Sequence, residues 1–515
     1  MEVKNINLRA SLPAYDAPFK GEGDLVWKGK KVALAISTNN LRNLMEGRGE
    51  KVAASIDSDL IDFSLDGTAR MGDAIEADGK AKLSTPSIRE LAAWLAEPLE
   101  APGTGLGPLS IGGDLAVREN RYGFTNVDLA LDALRAKGGV TLETGGARPM
   151  IRGELVTDAL DLNPYLPPEP EETPEWTGWS TEPLDLSGLK AADMALSFRT
   201  GSLKFRDITI GKSDLELNLK NGVLTANLKE MALYDGSGSG SLTVDASGSV
   251  PAIAAKFDLA GVAGEPLLRD AGGFERLSGS LKTNFSLAGR GASQKDIVSS
   301  LNGNGAFTFT DGTLKGVDLA EIAGIIEQIA NGAKTGGADL LKNLTSGNLL
   351  GSLQGLAAMF GGRGEVNKST KFTSLSATFQ AKDGVIHNDD LKMVGPLVNQ
   401  RALLTMSGAG DINLGTTGLA YEAEVRSFAK QEASGGIGGR VRLSGTIMEP
   451  APCVVLGSMC IGKDTGAGDI AKDKLKGLLQ DKLQGGKGED GADADAPAKT
   501  EDKVKGLFDK LKKKD

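Results

Sequence analysis

The sequence predicts a mainly β protein: a long antiparallel sheet of hairpins and meanders with a few short covering helices. Three observations predict it. Apolar residues alternate with polar ones in segment after segment, the period of a half-buried strand. Asn-Gly and Asp-Gly pairs punctuate that alternation where two-residue hairpin loops fit. The composition is also thin: over 515 residues hydrophobics make up 40%, aromatics 5%, and there are 70 glycines, roughly twice the usual ~7%. The glycines follow no G-X-Y period and read as turns. A core of Leu, Val, Ile and Ala suits an extended sheet better than a thick globule.

Taken in order, residues 1–162 form an N-terminal β-rich region. Val32, Leu34 and Ile36 alternate, as do Ile61, Phe63 and Leu65, the latter run closed by Asp66-Gly67 read as a turn. A helix is predicted over Ser87–Glu97, with Ser87 and Glu90 at capping-box spacing, Leu91, Trp94 and Leu95 as its apolar stripe, and Pro98 as its stop. Val127, Leu129 and Leu131 share one strand face, and strands continue through Val140, Leu142 and Leu155. Residues 163–185 are rich in proline and carboxylates and read as a stiff linker or an extended crossing segment, with Trp176 and Trp179 available to dock it on a neighbouring sheet.

A second β-groove region spans 186–462. Taking Asn221-Gly222 as a type I′ loop sets Leu219 opposite Leu224, Leu217 opposite Ala226 and Leu215 opposite Leu228, all on one face. The same reading of Asp311-Gly312 sets Phe309 opposite Leu314, and that of Asp383-Gly384 sets Ala381 opposite Ile386. Within Leu277–Asn331, Leu281, Phe285 and Leu287 alternate. Ser293 and Asp296 then open a helix Ser293–Leu301, and Asp318 caps a stronger helix Asp318–Asn331 with Leu319, Ile322, Ile326 and Ile329 as its stripe. A further short helix is read at Ala357–Phe360. Residues 463–515 form a charged, largely disordered tail, carrying Val504, Leu507, Phe508 and Leu511 at amphipathic helical spacing.

A search for catalytic chemistry finds none. His387 is the single histidine, and a lone histidine in a strand is normally structural. Asp389-Asp390 read as a solvated turn. The Gly236–Gly240 run lacks the lysine and helix start of a phosphate cradle and reads as a loop or bulged strand. There is no P-loop, GxSxG elbow, HExxH or EF-hand loop. No catalytic, cofactor-binding or metal-ligating residue is nominated, and no cofactor is expected. A net charge of −10 argues against a nucleic-acid partner. Cys453 and Cys460 are open to either a small disulfide or two free thiols. No run of about 18 apolar residues exists to form a transmembrane helix.

Four segments, LSGSLKTNFSLAGRG, SLNGNGAFTFTDGTLKGVDL, TKFTSLSATFQAKDGVIHNDDLKMVGP and RVRLSGTIMEPAP, resemble in order the C-terminal core of the AsmA family. Fainter similarity extends over most of Glu2–Ile461. The resemblance implies a bacterial envelope protein related to bridge-like lipid-transfer proteins. It further implies an inner-membrane anchor ahead of Met1, a periplasmic body, and links to outer-membrane assembly and to regulation of protein targeting to the membrane. A sheet with one apolar face must cover it with helices, a second sheet or a ligand, and the predicted helices are too few. A sandwich closed on itself would make an interaction protein that binds another envelope protein. A trough would hold phospholipid or another acyl-chain lipid, near a membrane, and the resemblance implies the trough.

Overall fold

The computed structural model describes residues 3–95, 99, 103–168, 178–324, 326–327, 368–428, 437–447, 449–456 and 459–462. Met1–Gly462 form one compact unit and Lys463–Asp515 a second. The second unit, the helix read at Ala357–Phe360, Trp176, and residues 328–331 of the helix read at Asp318–Asn331 lie outside the described residues.

The first unit opens with β1 (Val3–Ser11), β2 (Phe19–Trp27), β3 (Lys30–Thr38), α1 (Leu41–Met45), β4 (Glu50–Ser58), β5 (Ile61–Met71) and β6 (Ile75–Thr85). Next come α2 (Ile88–Leu95), β7 (Leu109–Arg118), β8 (Arg121–Leu131), β9 (Leu134–Glu143) and β10 (Met150–Asp161). The chain resumes with β11 (Asp193–Phe205), β12 (Ile208–Lys220), β13 (Val223–Leu233), β14 (Gly236–Asp245), β15 (Ala252–Ala263), α3 (Gly264–Gly272) and β16 (Leu277–Arg290). Then follow α4 (Gln294–Ser299), β17 (Asn302–Lys315), a helix α5 described at residues 319–324 and 326–327, β18 (Ser369–Lys382) and β19 (Val385–Val394). A small hairpin of β20 (Leu397–Val398) and β21 (Arg401–Ala402) precedes β22 (Leu404–Asn413), β23 (Gly418–Ser427), β24 (Ile437–Gly445), β25 (Pro450–Leu456) and β26 (Met459–Gly462).

Apart from the β20–β21 hairpin, every strand joins one 24-stranded sheet in chain order, β19 pairing directly with β22. β1 pairs only with β2 and β26 only with β25, so the sheet stays open. At ~4.8 Å per strand the 24 strands span about 110 Å along the hydrogen-bonding direction. Among the described residues the extensive strand–strand contacts run between neighbours of the sheet, and no second sheet packs on it. This is the trough arrangement, not the self-closed sandwich.

One pairing is parallel. β10 and β11 run side by side with Leu155 beside Phe198, so the chain between them must travel back the length of a strand. The Pro- and Glu-rich segment makes that return. It leaves beside Arg206, whose N–H donates to Asn163 Oδ1 at 2.6 Å. It returns at the opposite rim, where Trp179 Nε1–H donates to the Leu414 carbonyl at 2.7 Å and the Leu184 N–H to that of Ala292 at 2.8 Å. The sheet therefore continues without a break across residues 163–185.

The Asn221-Gly222 and Asp383-Gly384 hairpins form in the registers expected, Leu215 facing Leu228 and Ala381 facing Ile386. Two other Asp-Gly pairs are not turns. Asp311-Gly312 lie inside β17, the two residues standing against Gly279 of β16 as a bulge, and Phe309 faces Leu281 and Leu375 instead of Leu314. The positive φ of Asp311 (50°) that suits a turn suits a bulge equally. Asp66-Gly67 lie mid-strand in β5, where Gly67 faces Gly79 of β6. A Cβ on Gly67 would sit 2.0 Å from the Asp78 carbonyl oxygen. Many glycines thus serve strand interiors rather than turns. Asp389-Asp390 likewise form a bulge within β19, between the pairs Asn388–Gly410 and Leu391–Gly408.

Candidate functional site: the apolar face of the sheet

Because side chains alternate and the register is continuous, apolar residues from successive strands line up across the sheet. Leu34, Ile56, Phe63, Leu83, Ile111 and Leu129 face one another in turn from β3 to β8. Leu155, Phe198, Leu215 and Leu228 continue from β10 to β13. Leu281, Phe309, Leu375, Met393, Met406 and Val425 complete the face from β16 to β23.

The opposite face carries ion pairs, among them Lys80–Asp114 (2.5 Å), Arg118–Asp78 (2.7 Å), Arg152–Glu143 (2.7 Å) and Arg440–Glu422 (3.0 Å). Exposed pairs of this kind contribute little stability, about 0–1 kcal/mol each. Their effect is to keep that face in water.

The apolar face is concave. In β5 the residues Ile61, Phe63, Leu65, Gly67, Ala69 and Met71 are half-buried while Asp62, Ser64, Asp66, Thr68 and Arg70 are exposed, and among the described residues no second sheet packs on Phe63 or Leu65. Curvature toward the apolar side crowds those side chains against each other. It also encloses a cavity of about 950 Å³ whose lining reaches from β1 to β7. Gly21, Ile36, Ala54, Leu65, Ala81 and Gly113 form one row of that lining. Small residues in this row leave the room. Elsewhere, glycines on the same face receive aromatic rings from the next strand: Phe257 lies over Gly240, Phe379 over Gly305 and Phe372 over Gly312, each ring within 2.5 Å of where a Cβ would stand. The groove floor is therefore smooth.

Helices enter the groove mostly from one rim. Following the strand directions, the connections holding α2, α3 and α5 all lie at the end where β10 finishes, whereas α1 and α4 lie at the other. α2 matches the helix expected at Ser87–Glu97 over Ile88–Leu95, residues 96–97 lying outside the described residues; Ser87 Oγ accepts from the Glu90 N–H at 3.2 Å. Trp94 packs edge-on to Trp27, with ring centroids 4.7 Å apart, and donates to the Trp27 carbonyl at 3.3 Å. The Trp27 indole nitrogen itself is buried without a hydrogen-bond partner. A second pocket of about 350 Å³ lies between these rings and β2–β5.

α4 shows the expected capping box, Ser293 Oγ accepting from Asp296 N–H and Asp296 from Ser293 N–H, both at 3.2 Å. α3 was absent from the sequence reading. Its signal was Pro266 in the first turn and the Gly272-Gly273 stop. It is tied to the β13–β14 turn by the Tyr234 hydroxyl, which donates to Asp270 at 2.5 Å. Burial and that hydrogen bond push Tyr234 up to about 12.

α5 lies on the apolar face itself. Asp318 Oδ1 accepts from the Ala320 and Glu321 N–H groups at 3.0 Å, the cap expected. Leu319, Ile322, Ala323 and Ile326 are all buried. Ile326 rests on β24: a Cβ on Gly439 would meet its Cγ2 at 2.4 Å. The helix thus sits on the apolar face at β18, where Thr370 Oγ1 accepts from the Leu319 N–H at 3.0 Å, and at β24; Met393 and Val425 of the same face are fully buried. Among the described residues the face is part-exposed over β3–β8 and carries the protein's own helix at β18 and β24.

The residues considered for chemistry hold the frame. His387 Nδ1 stands 2.7 Å from Asp411 Oδ1 on the exposed face. Asp390 accepts from the Thr378 N–H and hydroxyl, both at 2.8 Å, and these bonds hold its carboxyl below the usual range. The Tyr421 hydroxyl donates to Asn388 at the same bulge. The Gly236–Gly240 run lies in β14. Cys453 and Cys460 form a disulfide across the β25–β26 hairpin, Cα–Cα 5.4 Å. Among the described residues no group of His, Cys, Asp and Glu is arranged to hold a metal ion, and no helix is long and apolar enough to cross a membrane.

Comparison with curated proteins and with solved structures finds no match. The family model described as "AsmA family" matches residues 27–391. That span runs from the last residue of β2 into β19 and takes in most of the open groove, α2 and α5, while the expected segment RVRLSGTIMEPAP lies beyond it. The match covers well over half the chain, and the chain belongs to the AsmA family, a family of the bacterial envelope.

Proposed function

We propose that this protein holds acyl-chain lipid, phospholipid foremost, against the concave apolar face and passes it along the groove without performing a reaction on it. The observation that carries the reading is the part-exposed apolar row Leu34, Ile56, Phe63, Leu83, Ile111 and Leu129 over β3–β8, on which no second sheet packs among the described residues, with its cavity of about 950 Å³ beside it. Such a face in water is unfavourable, and each methylene buried there contributes about 0.8 kcal/mol. Roughly ten methylenes would contribute ~8 kcal/mol before the cost of ordering the chain.

Within the envelope we place the groove in the periplasm, attached to the inner membrane, in support of outer-membrane assembly and, as the family implies, regulation of protein targeting to the membrane. The Cys453–Cys460 disulfide favours an oxidising compartment. Native mass spectrometry of protein purified from lipid-containing cells without detergent tests the reading. Phospholipid-mass adducts on folded protein are expected. Folded protein free of lipid under those conditions would overturn it, and an interaction protein for an envelope partner would take its place.

A further inference from the structure

We infer that the pocket beneath α2 is an apolar subsite for the terminal methylenes of one acyl chain, the polar end of the same lipid lying toward the larger cavity. The inference rests on the lipid-holding reading and gives the bound chain a direction.

The lining of the pocket comes first. Leu25, Trp27, Val32, Leu34, Ile56 and Trp94 form most of its wall, and no charged or hydroxyl side chain lines it. A carboxylate, phosphate or glycerol placed there would lose its hydrogen bonds to water and could regain at most one, from the Trp27 indole N–H. Methylenes lose nothing. The volume of about 350 Å³ falls in the range of small-ligand sites, ~300–1,000 Å³.

The lid is the second observation. α2 is tied at its start, where Ile88 N–H donates to the Gly107 carbonyl at 2.9 Å and Arg89 Nε to that of Gly105 at 2.7 Å. It is tied at its end, where Lys28 Nζ donates to the Leu95 carbonyl at 2.7 Å and Trp94 Nε1 to Trp27. A helix fastened at both ends to its own rim has its apolar side committed to the pocket, not to a partner protein.

Continuity is the third. Leu34 walls the pocket and Ile36, two residues along β3 on the same face, lines the larger cavity, a separation of about 6.8 Å. One extended chain can occupy both. The larger cavity is open to water, so a polar end excluded from the pocket keeps its hydration there.

Stearic acid carrying a nitroxide near its terminal methyl, compared with the isomer carrying it near the carboxylate, tests this on the 515-residue chain. Trp176→Phe/Trp179→Phe leaves Trp27 and Trp94 as the emitting pair. Should that variant lose its far-UV signal, the same comparison is made on the unaltered chain against Trp27→Phe. Quenching at least twofold stronger by the methyl-end probe is expected, and Leu34→Trp, which fills the pocket, should remove the difference while the protein stays folded. Equal quenching, or stronger quenching by the carboxylate-end probe, overturns the subsite and leaves the lipid-holding reading intact. If neither probe comigrates with the protein on gel filtration, both fall.

Discussion

Ile326 and Ile36 lie on the same apolar face in opposite surroundings, and replacing each with aspartate separates an occupied groove from an open one. Ile326 is 2% exposed and sits on the backbone of β24. Ile326→Asp forfeits a full side-chain burial of about 1.5–3 kcal/mol and leaves a carboxyl in an apolar site, a mechanism that takes the total to roughly 4 kcal/mol or more. Ile36 is 37% exposed, so the same change forfeits only about 1–2 kcal/mol, and its carboxylate reaches water. Among the described residues each strand's main contacts are with its sheet neighbours, so the damage stays local, as in repeat proteins. Hydrogen exchange read by mass spectrometry should therefore show Ile326→Asp raising exchange in β17–β24 and leaving β3–β7 protected. Ile36→Asp should change exchange little anywhere. If the two variants destabilise equally, the face over β3 is covered and the open groove is wrong. If Ile326→Asp leaves β17–β24 protected, α5 is not seated on the sheet.

The glycines and a tyrosine give further tests. Gly67→Ala places a Cβ 2.0 Å from the Asp78 carbonyl oxygen and 2.5 Å from Gly79 Cα, so denaturant unfolding should show a loss of about 1–3 kcal/mol. Gly72→Ala, with nothing within 4 Å, should stay within about 0.5 kcal/mol of the parent. The raised Tyr234 favours its protonated form in the folded state, so its contribution is complete below the unfolded value of ~10 and is lost as pH rises through about 12. Tyr234→Phe should flatten that part of the stability-versus-pH curve, measured by thermal unfolding at alkaline pH; an unchanged slope would show that the Asp270 bond contributes nothing there.

The period of two and the short caps were legible because they are local. Leu215, Leu217 and Leu219 could be paired with Leu228, Ala226 and Leu224 because Asn221-Gly222 fixes both turn and register. Ser293 with Asp296, and Asp318 with Glu321, announced their helices at three-residue spacing. Asp311-Gly312 and Asp66-Gly67 misled, since the same residues serve bulges and close strand contacts as well as turns. α3 is only nine residues long with a proline inside its first turn, too short for a periodic signal. The parallel β10–β11 pair and the convergence of α2, α3 and α5 on one rim depend on residues distant in sequence. The cavity was hidden for a related reason: it is made by what Gly21, Ala54, Ala81 and Gly113 lack, and only the sheet's curvature brings their strands around one space.

The central claim is that lipid lies on one face of this sheet, and adjacent residues of β5 test it most directly. A photo-crosslinking amino acid placed singly at Phe63, Ser64, Leu65 or Asp66 and activated in intact cells will capture whatever touches that position. The alternation along β5 predicts lipid adducts at Phe63 and Leu65 and none at Ser64 and Asp66. Equal capture at all four positions, or capture at Ser64 and Asp66 alone, would contradict it.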